Sequence, residues 1–101
     1  MTALHILIGL FIKHIESIHD YIQIVFADGT VLNIFNSYSY DGASLFDASD
    51  VKVIDIDEQE GVVNIKLENG GVLLIDMKEE AYNGPEAMVL IREGESPVVW
   101  N

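Results

Sequence analysis

Apolar and polar residues alternate most cleanly between residues 21 and 36, YIQIVFADGTVLNIFN, where Ile22, Ile24 and Phe26 interleave with Gln23 and Val25. Beyond Asp28-Gly29 the alternation resumes, with Leu32 and Ile34 set against Val31, Asn33 and Phe35. A two-residue period places one face of each run on a core, and Asp-Gly suits the positive φ of a tight turn, so this stretch predicts a β-hairpin. A slip of one residue would turn Ile22, Ile24 and Phe26 to water, which fixes the strand register.

The same pattern recurs further on. Residues 51–57 predict a strand to which Val51, Val53 and either Ile54 or Ile56 contribute, followed by a turn at 58–61. Residues 62–68 return, Asn69-Gly70 turns again, and 72–77 follow, so three consecutive hairpin partners form a meander. Short strands at 88–92 and 98–100 flank a turn at 93–97. The segment 2–18 is less regular: Leu4, Leu7, Ile8, Phe11, Ile15 and Ile18 keep helical steps, but Gly9 would cost a helix about 1 kcal/mol. A short helix or strand up to Ile8, a break, and a strand over about 10–18 fit best. The stretches 37–50 and 78–87 read as irregular, the first covered by Leu45 and Phe46, the second broken by Gly84-Pro85. No exact repeat is visible. The expected fold is mainly β: a small antiparallel meander forming a curled sheet or partly open barrel, with or without one short N-terminal helix, in a single domain over 1–101.

Composition narrows the partner class. The chain carries 17 Asp and Glu against 5 Lys and Arg, a net charge of −12, and half of its residues are apolar. Such a surface repels phosphate backbones and anionic lipid, which argues against nucleic-acid or membrane partners and favours a cationic protein. Acidity kept for solubility alone is the competing explanation. There is no cysteine, hence no disulfide and no thiolate metal site, a composition that suits the cytoplasm. The apolar run 3–12 is too short to span a bilayer and lacks a basic lead.

Catalytic and metal-binding patterns are faint. His5, His14 and His19 are spaced too irregularly for a zinc site, and Asp55, Asp57 and Glu60 put Glu60 where a calcium loop needs glycine. No nucleophile elbow, Walker loop or dinucleotide fingerprint occurs, so no catalytic residue, metal or cofactor is expected. The acids say more. They crowd the two irregular intervals, and if those loops adjoin, Asp41, Asp47, Asp50, Glu79 and Glu80, with Tyr38, Tyr40 and Tyr82, form a surface that mimics a nucleic-acid backbone and its bases.

The stretches YIQIVFADGTVLNIFN and ENGGVLLIDMKEEAYNGPEAMVLI, with the terminal VVW, resemble small bacterial β-rich immunity proteins of contact-dependent growth inhibition systems. The resemblance implies a cytoplasmic, non-enzymatic inhibitor that binds the C-terminal toxin domain of a cell-surface effector, often a nuclease. A monomer that covers the cleft of a basic ribonuclease with its acidic loops is the leading expectation. A small-ligand-binding or structural β-barrel is the alternative.

Overall fold

The computed structural model describes residues 3–42, 44–82 and 84–101; Met1, Thr2, Ala43 and Asn83, which fall in the N-terminal and the two irregular intervals, lie outside them. Nine strands form one antiparallel sheet: β1 Phe11–Ile18, β2 Tyr21–Phe26, β3 Val31–Ile34, β4 Tyr38–Asp41, β5 Val51–Gln59, β6 Val62–Leu67, β7 Val72–Asp76, β8 Met88–Ile91 and β9 Val98–Trp100. Their order is β4-β7-β6-β5-β1-β2-β3-β8-β9, and the sheet stays open rather than closing into a barrel. The expected curled meander is therefore present. The N-terminal element is a single 3-10 turn, Ala3–Leu7, which buries Leu4 and Leu7 and stops at Gly9, whose φ is 92°. Two further 3-10 turns, Leu45–Asp47 and Glu79–Ala81, lie in the intervals read as irregular.

Apart from β9 the strand order is symmetric about the β5–β1 pair, and the pairing explains why. Every β1–β2 pair recurs 41 positions later between β5 and β6: Ile12–Phe26 as Val53–Leu67, Ile15–Ile24 as Ile56–Ile65, Ile18–Tyr21 as Gln59–Val62. β2–β3 repeats as β6–β7 in the same way, Ile24–Leu32 becoming Ile65–Leu73. The first strand of each repeat, β1 and β5, carries a bulge at the same place, between Ile12 and His14 and between Val53 and Asp55. The turns match bond for bond: Phe26 N–H donates to Thr30 O at 2.8 Å and Leu67 N–H to Gly71 O at 2.9 Å, while Asp28 Oδ1 and Asn69 Oδ1 accept from the N–H two residues on. Only the glycine of each turn, Gly29 or Gly70, takes a positive φ. The chain thus contains an internal structural repeat with a 41-residue offset, folded about a pseudo-two-fold axis. That axis passes between Phe11 and Lys52, which occupy equivalent positions and pair with each other, the Lys52 ammonium 5.8 Å from the Phe11 ring centre.

The two repeats share one core. Ile12, Ile15, Ile22, Ile24, Phe26, Leu32 and Ile34 of the first meet Val53, Ile56, Val63, Ile65, Leu67, Leu73 and Ile75 of the second, all buried. Burying a side chain of this size stabilises by about 1.5–3 kcal/mol, which makes the alternation the main determinant of the fold. The bulge settles which isoleucine of β5 is inside: Ile56 is buried, and Ile54, at the extra residue, is 51 % exposed.

Two assignments from sequence need correction. Residues 38–41 were expected to be irregular, yet they form β4, paired with β7 from Tyr38–Ile75 to Asp41–Val72. The serine- and aspartate-rich composition hid a strand whose inward residue is a tyrosine rather than an aliphatic one. In the same loop Leu45 is buried as expected, but Phe46 faces outward at 47 % exposure.

Candidate functional site

The chain crosses from one side of the sheet to the other between β3 and β4. Phe35 and Asn36 both donate backbone N–H groups to Ala87 O, and the Asn36 side chain, 2 % exposed, donates Nδ2–H to Asp76 O at 2.8 Å. Ser37 then accepts from Asp76 N–H at 3.0 Å and donates to Ala81 O at 3.3 Å. These bonds hold the start of β4, the end of β7 and the 3-10 turn Glu79–Ala81 together at one end of the molecule.

The eight residues singled out from sequence fall into three positions. Glu79, Glu80 and Tyr82 sit beside Ser37, with Tyr38 next along the chain. Asp47 and Asp50 lie at the opposite end of the first repeat, where Asp50 N–H donates to Ile12 O at 2.7 Å and the Ser49 hydroxyl to Lys13 O at 3.1 Å. Five strand residues, about 17 Å, separate Ile12 from Ser17, which is the end that carries Ile22 and Ile34. The two acidic loops therefore do not adjoin, and a single combined patch is not formed. β4 runs between them, with Tyr38 at one end and Asp41 leading toward the 44–50 loop at the other.

Tyr38 is exposed, but Tyr40 is not the contact residue expected of it. Its ring packs into the core, its hydroxyl is buried without a hydrogen-bond partner among the described residues, and a Cβ at Gly71 would overlap that hydroxyl. A tyrosine on the inward face of an edge strand reaches across its neighbour, and Gly71 leaves the space for it. Asp41, Asp47, Asp50, Glu79 and Glu80 are exposed and have no ion-pair partner among the described residues, whereas Arg92 is held by Glu95 at 2.8 Å and His14 contacts Glu16 at 3.2 Å.

Sequence reading missed an open cleft of about 470 Å³ beside this end of the fold. Tyr21 and Phe35, whose ring centres lie 4.8 Å apart at 43°, line it with Pro85, and His19, Asp20 and Glu86 add polar groups. The pairing of Tyr21 with Phe35 across the hairpin was the only signal available for it. No hydrogen bond joins His19 to a hydroxyl or carboxylate, and no cluster of three histidine or acidic side chains is placed to hold a metal, among the described residues. No helix among them is long and apolar enough to cross a membrane.

No protein-family model, no curated protein and no solved structure matches this chain.

Proposed function

We propose that this protein is an immunity protein that binds and neutralises a cognate basic toxin domain, a ribonuclease, in the cytoplasm by covering its active-site cleft. The observation that supports the reading is the set of exposed carboxylates, Asp41, Asp47, Asp50, Glu79 and Glu80, that form no ion pair among the described residues, on a chain of net charge −12. Unpaired surface acids contribute little to folding, whereas a field of one sign accelerates capture of an oppositely charged partner. Because the two acidic loops lie apart, the contact surface is the end that holds Tyr38, Glu79, Glu80 and Tyr82, together with the β4 edge that leads from it to Asp41. Asp47 and Asp50 act through the long-range field rather than by contact.

The test is co-purification with the product of the neighbouring reading frame and loss of that product's nuclease activity on mixing. Association should slow as salt rises above about 0.1 M, where the screening length drops below about 10 Å. The double reversal Glu79→Lys/Glu80→Lys should slow it more than Asp47→Lys/Asp50→Lys, and equal rates for both variants would reject the assigned surface.

The cleft at Tyr21 and Phe35 favours a second reading, a small-ligand-binding protein whose acidity serves solubility. It predicts saturable binding of an apolar or aromatic small molecule with spectral changes at Tyr21, and indifference to basic proteins.

A further inference from the structure

The pseudo-two-fold axis pairs β8 with β4. Phe35 N–H donates to Ala87 O at 2.9 Å, and its equivalent, Asp76 N–H, donates to Ser37 O at 3.0 Å; Met88 therefore corresponds to Tyr38, Val89 to Ser39 and Leu90 to Tyr40. On the far side of β8 the match continues for one more bond. Ala87 N–H donates to Trp100 O at 2.6 Å, and Ser37 N–H to Ala81 O at 3.3 Å, so Ala81 stands where Trp100 stands.

There the two sides part. From Trp100, β9 extends along β8, pairing Val99 with Val89 and Val98 with Leu90. From Ala81 the chain curls away into the 3-10 turn Glu79–Ala81, and among the described residues β4 pairs with β7 alone, its other edge without a strand partner from Tyr38 to Asp41. An exposed sheet edge is usually blunted by proline, by a bulge or by lysine. β4 has none of these. β9, the other edge strand, is only three residues long and follows Pro97.

We propose that the free edge of β4 docks an extended segment of a cationic partner protein, which adds an antiparallel strand there as β9 does to β8. Main-chain pairing supplies the alignment, and the side chains around it set the partner. Asp41 closes one end of the edge, and Glu79 and Glu80 the other, while Lys78 lies over Gly61, so the docking segment carries lysine or arginine near its ends. Tyr38 and Leu74, exposed on opposite faces of the sheet beside the edge, favour apolar or aromatic side chains on both faces of the docking segment, the composition of β9 itself. A second copy of this chain is disfavoured because each copy brings a charge of −12. The surface is read from the fold and deepens the proposed function only in naming which strand meets the partner.

The test uses the full chain and a capped peptide, Lys-Lys-Val-Val-Trp-Lys, followed by residue-resolved NMR. Shift changes should centre on Tyr38–Asp41, with amide exchange there slowed. A peptide N-methylated at both valines should bind roughly tenfold more weakly or not at all, because it cannot complete the ladder. A version with glutamate for lysine should lose roughly tenfold through charge. The inference is overturned if the peptide fails to bind at millimolar concentration, if shifts gather at β9 or at the Tyr21–Phe35 cleft, or if N-methylation has no effect. It is also overturned if the chain alone already protects β4 by self-pairing, seen as β4 protection lost on dilution. None of these results bears on co-purification with the neighbouring gene product, so the two readings fail separately.

Discussion

The first repeat, β1–β3, and the second, β5–β7, have one backbone plan and two surfaces. Buried positions agree: Ile15 and Ile56, Ile24 and Ile65, Leu32 and Leu73, Ile34 and Ile75. Exposed positions do not. His14, Ser17, His19 and Ala27 of the first stand opposite Asp55, Glu58, Glu60 and Glu68 of the second. The fold tolerates this because it is specified by the inward alternation and by the glycine of each turn, so the outward face is free to acquire charge. The same comparison at the sheet edges shows a finished side, β8 covered by β9, and an unfinished one, β4.

If the repeats are energetically equivalent, truncating matched core residues should cost the same. Ile24→Ala and Ile65→Ala should each destabilise by about 2–5 kcal/mol in urea unfolding. A large inequality would mean that one repeat carries the stability. The next largest effect separates the repeats: Gly71→Ala should cost about 1–3 kcal/mol by driving a methyl group into the Tyr40 hydroxyl, whereas Thr30→Ala at the matched position makes no such clash. Gly29→Ala and Gly70→Ala, at φ 92° and 89° with open space around both, should then cost a matched 1–2 kcal/mol, about the strain of a left-handed alanine. Smallest is Tyr40→Phe, which removes a buried hydroxyl without a partner. It should raise stability by up to about 1 kcal/mol, and a loss instead would show that the hydroxyl is satisfied.

Much of the fold was legible in the alternation. Both Asp-Gly and Asn-Gly hairpins, the return strands and the last two strands follow from period-2 patterning and turn chemistry. The internal repeat was not, because matched positions share apolar character more than identity, and the outward residues that dominate a direct comparison differ in charge. β4 was missed because Ser39 and Asp41 are poor strand formers, placed there by the crossing bonds of Phe35, Asn36 and Ser37 rather than by propensity. For the same reason the acidic residues were identifiable but their separation was not. Where two loops lie relative to each other depends on the strand order, which local patterns do not encode.

The inequality of β4 and β8 is measured most directly by amide hydrogen exchange on the free protein, without any partner. Amides along the outer edge of Tyr38–Asp41 should exchange much faster than those of Met88–Ile91 that face β9. Equal protection of the two strands in dilute solution would mean that the β4 edge is already covered and would contradict the account.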